Sequence, residues 1–272
     1  MIRKLFPAGK QKAFNVTYDD GVLQDIRFVE LLNRYQLKGT FNLNSALMKN
    51  GFQWTHESGR VVTRLKPEVA ATLYTGHEIA SHTLTHPYMD SLTEEQILHE
   101  LSEDKTNLET LFSREIKGFA VPFYYYSDLI ARCVEECGFA YARISEESGS
   151  FVPQQNYYHW QATVFHCSDD LEVLTRRFIQ TNQELAVFQI VGHSYDLDVE
   201  NKWEFIEHLF AQIHEQEDIL PMTTIQIIEY LQAMEQAEIS PGHIQNNSRQ
   251  SLWFSIDGAV VEVKPLARIS LL

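Results

Sequence analysis

What most limits the fold of this chain is an alternation in its hydrophobic pattern. Short apolar runs recur along it, and between them lie longer stretches whose apolar residues fall at helical spacing. The runs at 14–18, 39–43, 77–81, 118–123, 140–144, 160–165, 186–191 and 219–223 read as strands. The stretches 22–35, 66–74, 92–112, 127–136, 171–181, 202–216 and 224–237 read as helices. Boundaries are marked locally. Pro67 sits in a first helical turn, Gly76 and Gly138 follow helix ends, and Thr93 with Gln96 three residues on makes a capping box. Strands alternating with helices require a parallel sheet, open and doubly wound or closed into a barrel. After about residue 238 the texture changes. Ser240-Pro241-Gly242 interrupts the chain, and two alternating runs at 251–256 and 259–263 flank Asp257-Gly258, a hairpin turn pair. A third short strand is expected at 267–271. The division expected is a barrel over residues 1–238 and a small β segment over 239–272, packed on the barrel because it buries too little to fold alone.

The residues with chemical capacity follow the predicted strand ends. Asp19 and Asp20 close the first run and are followed by Gly21. Taken alone the pair reads as a solvated turn, but two adjacent carboxylates repel, and a cation against one of them relieves the repulsion. His82 and His86, four apart, come directly after the third run, a spacing that on a helical turn would point both imidazoles at one metal. Asp20, His82 and His86 together form a two-histidine, one-carboxylate set that suits Zn2+, and also Fe2+, Co2+ or Mn2+. His193 follows the seventh run. In a β/α barrel all these positions share the C-terminal face, which is where active sites lie, and this favours the barrel over the open sheet.

Three segments, in order, carry a resemblance. Thr17-Tyr18-Asp19-Asp20, Gly76-His77-Glu78-Ile79-Ala80-Ser81-His82-Thr83-Leu84-Thr85-His86 and Val191-Gly192-His193 resemble motifs of the polysaccharide deacetylase family, the NodB-homology or carbohydrate esterase family 4 proteins. The resemblance implies a distorted (β/α)7-type barrel, here with a C-terminal β appendage. It implies a divalent metal, Zn2+ first with Co2+, Mn2+, Fe2+ or Ni2+ as alternatives, held by Asp20, His82 and His86. Asp19 would be the general base and His193 the general acid, and the backbone N–H of Phe123 would share the oxyanion with the metal. The chain departs from the family at two motifs. Where the third has an arginine that pairs with the base, this sequence reads Ala120-Val121-Pro122-Phe123, and Arg143 on the next strand is the candidate substitute. The fourth motif, an Asp and a Trp, has no clean match. Trp160, His166, Asp169 and Asp198 are candidates, and Tyr124 is a candidate for stacking on a sugar at the barrel mouth.

The activity expected is removal of acetyl groups from N- or O-acetylated carbohydrate. Two alternatives stay open: hydrolysis of a small amide, imide or formyl compound on the same barrel, and an inactive metal-bound carbohydrate-binding protein. Composition narrows the partners. The net charge is −15 across 272 residues with no basic cluster, which argues against nucleic acid and anionic membranes. No run of ~20 apolar residues occurs, so no membrane helix is expected. Three cysteines make no disulfide framework, and with no signal segment visible the expectation is a cytoplasmic protein with reduced thiols.

Overall fold

The computed structural model describes residues 1–49 and 51–271. Along the chain come β1 (Ile2–Leu5), β2 (Lys12–Asp19), α1 (Asp25–Arg34), β3 (Gly39–Leu43), α2 (Ser45–Lys49), a hairpin of β4 (Gln53–Thr55) and β5 (Val61–Thr63), α3 (Pro67–Leu73) and β6 (Glu78–Ser81). Then follow α4 (Glu94–Phe112), β7 (Gly118–Ala120), α5 (Asp128–Glu136), β8 (Tyr141–Glu147), β9 (Trp160–Ala162), β10 (Val164–Phe165), α6 (Leu171–Gln180) and β11 (Ala186–Gly192). The last part holds α7 (Ser194–Val199), α8 (Trp203–His214), β12 (Ile219–Pro221), α9 (Thr224–Glu235), β13 (Ala237–Ser240), β14 (His243–Asn246), β15 (Leu252–Ile256), β16 (Ala259–Val263) and β17 (Arg268–Ser270).

The main sheet runs β10-β11-β2-β3-β6-β7-β8-β9, parallel throughout, with β12 wedged beside the first residues of β2. Its two ends are consecutive in the chain. The run expected as one strand at 160–165 breaks at Thr163: its first half pairs with β8 and its second with β11. Thr163 itself bridges the break, its N–H donating to the Gln189 carbonyl at 2.8 Å and its hydroxyl accepting from the Gln189 N–H at 3.1 Å. The parallel strands thereby form a nearly closed, distorted barrel, as expected.

The central strands are buried along their whole length, β2, β3, β6 and β11 without an exposed residue, which is the pattern of a sheet covered on both faces. Helix α4 is entered through the expected capping box, with Thr93 N–H donating to Gln96 Oε1 and Gln96 N–H to Thr93 Oγ1. One apolar core, with Phe14, Phe28, Phe41, Phe119, Phe188 and Phe210 among its rings, joins the barrel to its helices. A second core lies at the other end of the strands, around Trp160, Ile227, Ile228, Tyr230, Leu252 and Phe254.

The tail is built on this second core. β15 and β16 form the expected hairpin around Asp257-Gly258, and β15 also pairs antiparallel with β1, Ile2 facing Ile256. β13, β14 and β17 make a separate three-stranded sheet, so the helix read as far as 237 stops at Glu235 and the chain turns directly into a strand. Among the described residues no helix is long and apolar enough to cross a membrane.

Candidate active site

The parallel strands deliver their last residues to one rim, where a pocket of about 620 Å³ opens. Its floor includes Asp19, Asp20, His82, His86, Arg143 and His193; Phe123, Tyr124, Phe165 and Tyr195 contribute to its walls. Four residues in three of these segments take up backbone that side-chain-bearing residues seldom adopt. Asp20 has φ 85°, Thr83 69°, His86 57° and Phe123 57°. Left-handed backbone at non-glycine residues persists only where the surroundings hold it, and it gathers at functional sites.

The histidines meet by a different route from the one expected. Residues 82–87 are not a helical turn. They form an irregular loop bent by the left-handed residues Thr83 and His86, and it brings the imidazole centroids to 4.8 Å. Helix α4 props this loop from below. The Leu84 N–H donates to the Glu100 carbonyl, Thr85 N–H and hydroxyl to the Glu100 carboxylate, and Ser81 Oγ to buried Asp104 at 2.6 Å. Asn44, just past β3, donates to the carbonyls of His82 and Thr83.

His82 Nδ1 donates to the Ala120 carbonyl at 2.8 Å, which leaves the Nε2 lone pair for the site. Asp20 Oδ1 lies 3.6 Å from His86 Nε2 and 4.0 Å from His82 Nε2. One donor atom from each of the three residues falls within 4.8 Å of the others. Asp20 Oδ1 is buried and makes no aligned hydrogen bond among the described residues; the Arg64 guanidinium stands 3.0 Å from it, and its lone pairs stay open toward the two imidazoles. Burial lowers the pKa of both imidazoles, that of His82 to about 3, so both are neutral donors at ordinary pH. The donor set fits a divalent metal with open positions.

Asp19 is held from the opposite side. Arg143 Nη2 and Asn42 Nδ2 (2.7 Å) both donate to its Oδ1, leaving Oδ2 toward the site, 3.9 Å from His82 Nε2. Burial alone would raise this carboxyl, but Arg143 and the neighbouring imidazoles outweigh it and hold it below its usual range. His193 lies between the rings of Tyr195 and Phe165, and its Nδ1 is 2.9 Å from Asp196 Oδ2. Burial pulls His193 down. The Asp196 carboxylate, with Asp20 and Asp19, more than compensates and raises it to about 9, so the ring carries a proton at neutral pH.

Of the residues expected here, Asp19, Asp20, His82, His86, Phe123, Tyr124, Arg143 and His193 line one pocket. His166 lies just beneath it, fully buried, with Nδ1 2.6 Å from the Tyr18 hydroxyl and Nε2 3.5 Å from Asp196 Oδ2. Trp160 is not part of the group. It begins β9 in register with Arg143, but its side chain donates to Gln189 Oε1 at 2.8 Å and packs in the second core. Asp169 is exposed. Asp198 bonds to Gln24 and Trp203 rather than to His193. The carboxylate that does hold His193 is Asp196, which the sequence reading passed over. Its signal was the three-residue step from His193 in the turn after β11. Arg64 was also passed over. It comes from the end of the β4–β5 hairpin and sits 3.0 Å from Asp20 Oδ1.

The sequence profile of the family described as polysaccharide deacetylase matches residues 7–142. The chain belongs to the polysaccharide deacetylase family. The matched span contains Asp19, Asp20, His82 and His86, while His193 lies beyond it. No curated protein matches the chain in sequence. Among solved structures, a Mycobacterium smegmatis protein that carries the family's name superposes with a TM-score of 0.61 at 15% identity, covering 86% of this chain and 94% of that one. The family 4 carbohydrate esterase from Streptomyces lividans, in complex with acetate, gives a TM-score of 0.52 at 15% identity over 77% of this chain and 91% of that chain. BA3943, a CE4 family pseudoenzyme from Bacillus anthracis, gives 0.54 at 16% identity over 83% and 68%. At these identities the likeness is one of fold, and it is the barrel that is shared.

Proposed function

We propose that this deacetylase-family chain is a metal-dependent hydrolase that removes acetyl groups from N- or O-acetylated carbohydrate, with Asp20, His82 and His86 holding the metal and Zn2+ the first candidate. The observation that carries the reading is the convergence of a buried Asp20 Oδ1, which makes no aligned hydrogen bond among the described residues, on the Nε2 atoms of His82 and His86. When bound, the metal supplies Lewis acidity toward the acyl oxygen and a water ready to be deprotonated. The chain's own groups do the rest. Asp19, charged and held at one oxygen by Arg143 and Asn42, takes the proton from the attacking water at its other oxygen. His193, protonated and held by Asp196, gives its proton to the departing amine or alcohol. The Phe123 N–H, which makes no hydrogen bond among the described residues, is the donor assigned to the oxyanion. Tyr88 stacks on Phe123 with centroids 3.9 Å apart and extends an aromatic ledge where a sugar ring can rest.

A second reading, hydrolysis of a small amide, imide or formyl compound, draws on the pocket's size. About 620 Å³ is within the usual span of small-ligand sites, ~300–1,000 Å³. An inactive binding protein is disfavoured because both Asp19 and His193 are present with their orienting partners.

Metal analysis of His82→Ala and His86→Ala beside the parent tests the ligand set, and unchanged stoichiometry in both would sink it. Kinetics separate the other roles. Asp19→Asn keeps metal and loses roughly 10²–10⁴ in turnover, the scale of general acid–base catalysis. His193→Ala keeps metal too and is impaired more on an N-acetyl amide than on an activated acetyl ester. Full turnover in Asp19→Asn, or metal loss in His193→Ala, would overturn the assignment.

A further inference from the structure

Among the described residues, Arg64 is the one cation at the site that the proposed mechanism leaves without a task. It is 4% exposed, and its Nη1 lies 3.0 Å from Asp20 Oδ1, the same oxygen that faces the two imidazoles. It does not spend a well-aligned hydrogen bond on that oxygen. Its Nη1 donates to the Asp20 backbone carbonyl and, at 2.7 Å, to Asn44 Oδ1, while Oδ1 of Asp20 stays unpartnered. The guanidinium lies over the Trp54 ring, 5.0 Å from its centroid, which shields it from water on that side. Its charge therefore stands behind a ligand oxygen whose lone pairs remain open. Arg143 stands similarly against Asp19. The two carboxylates beside the metal position are thus already matched by two buried guanidiniums.

We infer that Arg64 sets the strength of the metal site: its charge loosens the hold on the metal and leaves more of the ion's charge uncompensated for the substrate. The inference rests on Asp20, His82 and His86 being the ligands. Like charges a few ångströms apart in a poorly solvated site repel strongly, and groups bonded to metal ligands tune affinity by roughly 10–100-fold. The opposite assignment, that Arg64 merely holds Asp20 in shape, is weakened by the backbone. Leu23 N–H donates to the Thr63 carbonyl at 2.9 Å, Leu65 N–H to Gly21 at 2.8 Å, and Arg64 N–H to Phe52 at 2.9 Å. The first two bonds strap the hairpin to the turn at Gly21–Leu23, the third closes the hairpin on itself, and none depends on the Arg64 side chain.

The test is the dissociation constant of Zn2+, read by competition with a chromogenic chelator on the full chain. The variants are Arg64→Met, Arg64→Gln and Arg64→Lys. The two neutral variants bind Zn2+ on the order of tenfold or more tighter than the parent, while Arg64→Lys, which keeps the charge, stays near the parent. Tightening in either folded neutral variant alone suffices, so loss of one to misfolding leaves the test intact. Neutral variants that bind Zn2+ equally or more weakly overturn the inference, as does an Arg64→Lys protein that tightens with them. His86→Ala, run in parallel, reads the ligand set separately. If it loses Zn2+ while the Arg64 variants show no tightening, the ligands stand and only the role of Arg64 falls.

Discussion

Arg143 shows how a side chain's task can move without its position in space moving far. The family pattern puts the base's arginine at the place taken here by Ala120. In the sheet, Ala120 of β7 and Arg143 of β8 are direct register partners, and we propose that Arg143 supplies the guanidinium that the family pattern places at position 120. Its length carries it to Asp19, where it is 3% exposed and paired. Removing it strands a buried carboxylate. Arg143→Met is expected to cost about 3–5 kcal/mol of stability, the usual penalty for breaking one side of a buried pair, and to raise the pKa of Asp19 so that it is a poorer acceptor at low pH. Arg143→Lys retains the charge and recovers part of both losses. Urea denaturation together with turnover, at unchanged metal content, checks this. Equal stability in parent and Arg143→Met would show that the pair does not hold Asp19.

Among the elements, those legible in the sequence were the ones whose own residues dictate them. β2, β3 and β11 are runs of apolar side chains buried on both faces, and α4 carries its capping box in its first residues. The site was legible where its residues close such strands: Asp19, Asp20, His82 and His193. What was not legible depends on chain that leaves the barrel and returns. The segment from Gln53 to Thr63 carries a hairpin signal in Ser58-Gly59 between Trp54-Thr55 and Val61-Val62-Thr63, but nothing in it says that the hairpin folds back on the turn after β2, and so Arg64 could not be foreseen beside Asp20. Asp196 depends on the short helix α7 beginning at once after His193, and Trp160 was misplaced because its side chain points to the far core.

The foot of β6 makes a prediction of its own. His77 precedes it, 2% exposed, with Nδ1 accepting from the Gly39 N–H at 3.1 Å and Nε2 3.2 Å from Asn33 Oδ1. Burial, helped by Lys38 and Arg114, lowers its pKa from 6.5 to about 4. The folded ring resists a proton that the unfolded chain accepts. Stability from this residue is therefore complete above pH 6.5 and is lost as pH falls toward 4, by about 3 kcal/mol at about 1.4 kcal/mol per unit. His77→Gln should flatten that part of the stability profile between pH 7 and 4. A slope identical to the parent's would mean other groups carry it.

At the scale of the molecule, chemistry and cohesion are segregated. The strands' C-terminal rim holds the pocket, while the opposite end holds the second core, to which β15 and β16 contribute Leu252, Phe254 and Val263, all fully buried. We propose that residues 239–272 serve the barrel's stability and take no part in its reaction. Phe254→Ala is expected to cost about 3–5 kcal/mol, as deletion of a buried aromatic ring does, with Zn2+ affinity unchanged. A weakened Zn2+ constant in the folded variant would tie the tail to the site after all.

The pairing of Ile2 with Ile256 has a consequence for how the protein is made. Strand β1 has its partner roughly 250 residues downstream, and at ~5–20 residues per second that partner follows it from the ribosome only after tens of seconds. Until then Leu5 and Phe6, both buried in the finished molecule, have no sheet to join. Translation speed and chaperone access therefore bear on the yield of this protein through a strand that never touches its active site.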